Sequence, residues 1–178
     1  VNDAPRTGPL VARGGVDGAF VIVDLGASYS DPEGDPVTYA AFGLPPGLTI
    51  DPATGRVSGQ IDRSASQGGA GGIYTVLVRA SDGQGGVTDA TFTWRVLNPA
   101  PLARNDALLV EAGRSLAGSV LGDNGNGPDA DPDGDALAVV AVGGRPADVG
   151  RSVAGSAGGT FTVGADGRFT VDPGADFA

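Results

Sequence analysis

The run IYTVLVRASDGQGGVTDATFTWRVLN, residues 73–98, alternates apolar and polar side chains on both sides of a glycine-rich centre. A period of two marks a half-buried strand, because successive strand side chains point to opposite faces. In the second arm Phe92, Trp94 and Val96 share one parity, and this set is expected to face inward. DGQGG (82–86), between the arms, is rich in residues that accept positive φ, as a hairpin connection requires. The stretch reads as two antiparallel strands joined by a short turn.

The same alternation recurs outward from it. GAFVIVDLG (18–26) places Phe20, Ile22 and Asp24 on one parity, and PVTYAAF (36–42) places Val37, Tyr39 and Ala41 on one face. LPPGLTIDPATGRVSG (44–59) reads as strand, turn, strand. Pro45 and Pro46 end pairing, Leu48 and Ile50 point one way, and DPATG (51–55) carries proline at its second position and a closing glycine. QGGAGG (67–72) is a flexible loop by composition. At NPAP (98–101) the pattern breaks into a short stiff linker, of the same flavour as NDAP (2–5) at the start. Beyond it come ALLVEAG, RSLAGSVL, ALAVVAVGG and GGTFTVGADGRFTVD, the last a hairpin turning at Ala165, Asp166 and Gly167. A boundary near residue 99 follows, dividing the chain into residues 1–98 and 99–178. Each part is expected to form one β-sandwich.

Composition narrows the chemistry. The 178 residues include 32 glycines and 13 prolines, too many for long helices. The formal charge is −10, from 11 basic and 21 acidic residues. All the basic residues are arginine and nearly all the acids are aspartate. Such a surface argues against nucleic acid, whose phosphates need a basic footprint. It argues for a hard counter-ion, since short carboxylates on loops are its usual ligands. Cysteine and histidine are absent, which removes disulfides, thiolate metal sites and the commonest general base. Lysine is absent too, so neither a Schiff base nor a Lys–Asn crosslink can form. No apolar stretch approaches a membrane span, and the start does not resemble a signal peptide. The abrupt start at Val1 suggests a fragment of a longer protein.

The order of these motifs carries a resemblance. YSDPEGDPVTYAA, LPPGLTIDPATGRVSG and YTVLVRASDGQGGVTDATFTWRVLN together resemble the dystroglycan-type cadherin-like domain, also called an Ig-like domain, of large bacterial surface proteins and adhesins. The similarity covers most of residues 2–98. It departs at Gly59-Gln60, where Gly-Thr-Pro is more usual, and in the glycine-rich insertion after Ile61. From Pro101 onward, PLARNDALLVEAGRSLAGSVLGDN, DADPDGDALAVVAV and GGTFTVGADGRFTVDPGADF resemble the cadherin-like tandem repeat related to VCBS repeats. That family continues past a phenylalanine such as Phe177 with a further strand, an Asp-Gly turn and a last strand. The second domain is therefore expected to be truncated before its closing hairpin, with an exposed sheet edge. The resemblance implies an all-β fold of two tandem Ig/cadherin-like β-sandwiches.

Two acidic phrases stand out in that frame: DPEGD (31–35) and DPDGD (131–135). Proline fixes the backbone in each, and glycine permits a turn that brings alternate carboxylates to one point. In an Ig-like sandwich the loops after the second strand and between the last two strands lie beside the incoming linker. That topology groups Asp31, Glu33 and Asp35 with Asp82, Asn2 and Asp3. It groups Asp131, Asp133 and Asp135 with Asn98, Asn105 and Asp106 at the inter-domain junction. Six to eight oxygens at such a place make a calcium inventory, with magnesium the lesser candidate. Asp123, Asn124 and Asp129 either complete a second ion or form an ordinary acidic loop. Neither phrase is an EF-hand, and no repeat of the calcium-binding β-roll is present. The plain alternative is a pair of solvated turns, since Asp, Pro and Gly are turn formers anyway.

Rival chemistries fit less well. A glycosidase needs one carboxyl of raised pKa in a cleft, and clustered loop aspartates without aromatic platforms do not resemble that. Trp94 shares the inward parity and reads as core, while Tyr29 is either a packing anchor or a surface contact. Serine and threonine have no histidine or lysine to activate them. The expected function is a calcium-rigidified stalk or adhesion module of a large secreted bacterial surface protein, serving cell adhesion or biofilm. It is non-catalytic, lies outside the cell, and has neighbouring repeats as partners. The alternatives are a calcium-dependent glycan- or protein-binding domain and a non-catalytic appendage of an extracellular enzyme. DPEGD, facing an absent preceding repeat, is expected to be the less completely coordinated of the two.

Overall fold

A computed structural model describes residues 1–174 of the chain, and Phe177 lies outside them. The chain separates into two compact units, Val1–Pro99 and Ala100–Ala178.

The first unit contains nine strands: β1 Arg6–Thr7, β2 Arg13–Val16, β3 Phe20–Asp24, β4 Tyr29–Ser30, β5 Thr38–Phe42, β6 Leu48–Ile50, β7 Arg56–Gln60, β8 Ile73–Ser81 and β9 Val87–Leu97. One sheet has the order β2-β9-β8-β5 and a second β3-β7-β6, while β1 pairs with β4 alone. Every pairing is antiparallel except β2 with β9, which runs parallel. The long hairpin read from residues 73–98 is the β8–β9 pair, with Tyr74 opposite Trp94 and Val76 opposite Phe92.

Burial follows the alternation on these strands. Phe92, Trp94 and Val96 of β9 pack with Val76, Val78 and Ala80 of β8, and with Leu48 and Val57 from the other sheet. Trp94 is 0% exposed. Val37, Tyr39 and Ala41 pack against this core from the side, as does Ile50. On β3 the inward residues are Val21 and Val23. Phe20, at 71% exposure, and Ile22, at 53%, form the outward parity. Four consecutive apolar residues carry no alternation, so only the pairing with β7 determines which parity is covered. Tyr29 is a packing anchor: it is buried, and its ring stands edge-on to Tyr39 with centroids 5.6 Å apart.

Among the described residues the second unit has four strands, β10 Leu116–Ser119, β11 Ser152–Ala154, β12 Thr160–Val163 and β13 Arg168–Asp172, in one sheet ordered β10-β13-β12-β11. The β12–β13 hairpin turns through Gly167 at positive φ, with the Gly164 amide donating to Arg168. ALLVEAG (107–113) forms no strand, and neither does ALAVVAVGG (136–144) beyond a single bridge between Val142 and Arg145. Among the described residues these segments have no ladder partner, and their backbone is held by isolated hydrogen bonds, from the Ala107 amide to the Asn124 carbonyl and from the Val139 amide to the Ala165 carbonyl. Among the described residues of this unit, Val142, Phe169 and Pro173 are buried. Another isolated bridge joins Leu102 to Ala130, holding the first residues of the unit against the chain that enters DPDGD.

Candidate metal centre

The two acidic phrases fold into the same backbone turn. In DPDGD, Asp131 Oδ1 accepts the amides of Asp133 at 3.1 Å and Asp135 at 3.4 Å. In DPEGD, Asp31 Oδ1 accepts those of Glu33 at 3.0 Å and Asp35 at 3.1 Å. Each turn closes with the glycine amide donating to the carbonyl of the leading aspartate. Gly134 has φ 89° and Gly34 φ 82°, a region that L side chains enter only at a cost. The sequence of each phrase specifies this shape: an aspartate to cap the turn, a proline to start it and a glycine to complete it.

The side chains of the two turns differ sharply. In the second unit Asp131, Asp133 and Asp135 each offer an oxygen, and these oxygens all lie within 4.8 Å of one another. Among the described residues this is the one group of three acidic side chains so arranged. Asp133 is 3% exposed, and neither of its carboxylate oxygens has a hydrogen-bond partner. With all three groups ionised, no proton is available to bridge them. Sharing a proton with Asp131, burial, and the charges of Asp131 and Asp135 push the Asp133 carboxyl up to about 6. The same shared proton holds Asp131 below the usual carboxylate range. A proton at Asp133 and a cation among the three groups are competing ways to relieve one repulsion.

In the first unit the acids are already supplied with donors. Asp82, itself buried, accepts the Asn2 side-chain amide at 2.8 Å and the backbone amides of Gln84 at 2.7 Å and Gly86 at 2.9 Å. The Asn2 bond is the main reason its carboxyl lies low. Asp35 Oδ2 accepts the Gln84 side-chain amide at 2.9 Å, and Glu33 Oε2 accepts the Asp3 amide at 3.3 Å. Asn2, Asp3, Glu33, Asp35 and Asp82 thus form one hydrogen-bonded loop cluster around the DPEGD turn. Asp31 Oδ2 is buried without a partner there. Gln84, which touches both arms of the cluster, had no acidic character to mark it in the sequence. Its place in the hairpin turn beside Asp82 was the available signal.

The remaining candidates divide. Asp106 lies outside the three-acid group, and its Oδ1 accepts the Asn124 amide at 2.9 Å. The Asn105 carbonyl accepts the Asn126 amide at 2.7 Å. Asp129 accepts the Arg104 backbone amide at 2.7 Å, and Asp123 the amides of Gly125 and Gly127. Asn98 follows β9 at the end of the first unit.

Two sheets sharing one core in the first unit, followed by a second all-β unit, define tandem Ig-like domains. The model of the family described as "Putative Ig domain" matches residues 7–97, and that described as "Bacterial Ig domain" matches residues 98–178. The chain belongs to the first family, with a bacterial Ig domain behind it. No curated protein matches the chain.

Solved structures similar to it include human protocadherin-24 EC1-2, at 18% identity and a TM-score of 0.43, covering 97% of this chain and 78% of that one. Drosophila N-cadherin EC1-4 is 17% identical with a TM-score of 0.46, covering 96% of this chain and 41% of that one. A "putative alpha-galactosidase" of Bacteroides fragilis is 24% identical with a TM-score of 0.43 over 55% of this chain, which spans only 20% of that structure. Among the described residues no helix is long and apolar enough to cross a membrane.

Proposed function

We infer that the chain is a calcium-rigidified stalk or adhesion module of a large secreted bacterial surface protein, with roles in cell adhesion and biofilm. The first unit is read as dystroglycan-type and the second as VCBS-type, and neither is catalytic. The observation that carries this reading is Asp133. A carboxylate 3% exposed, with two unpartnered oxygens between two more carboxylates, is poorly matched to a bare solvated turn. A hard cation supplies what the site lacks, and calcium accepts the irregular oxygen geometry that loops provide.

Asp131, Asp133 and Asp135 would hold the ion, with water or backbone carbonyls completing its shell. The charge of the ion would offset the repulsion among the three carboxylates. Bound only by the folded state, it also stabilises that state by mass action. The loop follows the first residues of its unit through the Leu102–Ala130 bridge, so fixing it stiffens the entry from the preceding repeat. Its partners are neighbouring repeats of the same polypeptide, with a cell-surface glycan or protein at the far end.

Thermal melting and small-angle scattering in excess calcium and in EDTA test the reading. Calcium should raise the melting temperature of the second unit and narrow the distribution of inter-unit orientations. Superimposable melts and profiles in the two conditions would sink it.

A further inference from the structure

The loop before DPDGD contains the sequence Asn124-Gly125-Asn126-Gly127. An Asn-Gly pair can undergo an internal acyl transfer. The glycine nitrogen attacks the asparagine side-chain Cγ, ammonia leaves, and a five-membered succinimide forms. Water then opens the ring to aspartate or isoaspartate. Two such pairs in tandem, sharing the same dipeptide chemistry, would react alike in a free chain. The fold treats them differently.

At the second pair a carboxylate and a cation both lie beside the glycine. The Gly127 amide, which must lose its proton to become the nucleophile, donates to Asp123 Oδ1 at 2.9 Å. A carboxylate within hydrogen-bond reach is a positioned general base. The Arg104 side chain lies over the same glycine: a Cβ built on Gly127 would stand 3.4 Å from Arg104 Cδ and 3.5 Å from its Nε. A guanidinium beside this glycine puts a cation next to the dipeptide in which negative charge would develop. Asn126 is exposed, and its side-chain amide has one hydrogen bond, to the Asn105 carbonyl at 2.7 Å.

At the first pair two of these features are missing. The Gly125 amide also donates to Asp123 Oδ1, at 3.0 Å, but a Cβ at Gly125 would meet nothing within 4 Å. Among the described residues no side chain reaches over that glycine as Arg104 does over Gly127. Asn124 is half-buried, and its amide is held twice, by Asp106 Oδ1 at 2.9 Å and the Ser119 carbonyl at 2.7 Å. Swinging Cγ onto the next nitrogen would break both bonds.

We propose that Asn126-Gly127 is a self-modifying site, deamidated in the folded protein with Asp123 as base and Arg104 as oxyanion partner, while Asn124-Gly125 is protected. The proton taken from Gly127 passes through Asp123 to the departing amide, which leaves as ammonia. The net change consumes one water and introduces one carboxylate. That carboxylate replaces the donor to Asn105 and adds negative charge to a loop already bearing Asp123 and Asp129. The modification is irreversible, so the loop records the age of the molecule.

Incubating the folded protein in warm neutral buffer and locating the acidic product by peptide fragmentation tests this. The ratio of reaction at Asn126 to that at Asn124 should be at least about tenfold, the low side of a positioned acid–base contribution. In urea the ratio should fall close to one. Arg104→Gln, in a chain whose circular dichroism matches the parent, should lower the folded-state ratio. A folded ratio equal to the urea ratio, or preferential reaction at Asn124, overturns the proposal. So does an unchanged ratio in the folded Arg104→Gln protein. Should that variant misfold, the comparison of folded and urea-treated parent chain still decides.

Discussion

Asn2 donates its side-chain amide to the buried carboxylate of Asp82 at 2.8 Å, joining positions 80 residues apart. The bond closes the start of the first unit onto the β8–β9 turn and depresses the Asp82 pKa. A carboxyl with a depressed folded pKa contributes stability above its unfolded value near 4 and loses it as pH falls through the folded pKa. Asn2→Ala should therefore lower the melting temperature of the first unit at neutral pH, by on the order of 5 °C. It should also flatten the acid limb of the stability profile. Equal acid limbs for parent and variant would show that the amide is not what stabilises the ionised form.

Asp133 gives the opposite sign. Its folded pKa is raised to about 6, so between the unfolded value near 4 and that point the folded state keeps a proton the unfolded chain has released. In EDTA the contribution of this group falls as pH rises through that window and stays unfavourable at pH 7. Asp133→Asn should remove the slope, raise the melting temperature of the ion-free protein at neutral pH and abolish the calcium response. Melting curves across pH, with EDTA and with calcium, read all three. A calcium response surviving in Asp133→Asn would move the ion elsewhere.

Gly34 and Gly134 occupy the same position in twin turns, at φ 82° and 89°. Alanine at either should cost about 1 kcal/mol of its own unit's stability, the penalty of a Cβ in the left-handed region. Only Gly134→Ala should also weaken calcium binding, because among the described residues only that turn gathers three acidic side chains within 4.8 Å around a carboxylate, that of Asp133, whose two oxygens have no donor. Calcium titration by calorimetry distinguishes them, and equal weakening by both would contradict the contrast between the loops.

Trp94 is the sole tryptophan and is sealed in the first unit. Trp94→Ala should cost about 3–5 kcal/mol, as for other large-to-small changes of a buried aromatic. In the parent chain its fluorescence reports the first unit alone. A urea titration followed by fluorescence and by circular dichroism should therefore show calcium shifting the dichroism transition of the second unit more than the fluorescence transition. A larger shift in fluorescence would place the dominant ion in the first unit.

Legibility in the sequence tracked how much of the answer was local. The β8–β9 hairpin could be read because Phe92, Trp94 and Val96 alternate with polar residues and the turn has few conformations open to it. On β3 every residue from Phe20 to Val23 is apolar, so period two was silent about which face is covered. ALAVVAVGG is apolar from Ala136 to Val142, with Val139 and Val140 adjacent, so period two offered no contrast there, and it found no partner strand. The two acidic phrases were visible as turns, and their backbones prove nearly identical. What separates them is distant: Asn2 and Gln84 supply donors to one cluster, and no such pair reaches Asp133. Pairwise neighbours 49 and 80 residues away leave no trace in the phrase itself.

The parallel pairing of β2 with β9 has a mechanical consequence. β2 lies near the start of the first unit and β9 at its end, with Arg13 opposite Trp94 and Val16 opposite Leu97. Tension applied through the chain pulls these two strands in opposite senses along their length, loading their hydrogen bonds together in shear rather than one after another. The stalk role proposed for the chain would stretch it in that direction. Under pulling the first unit should therefore resist as a single clamp and yield in one abrupt step. A force–extension record of gradual, bond-by-bond peeling would contradict it.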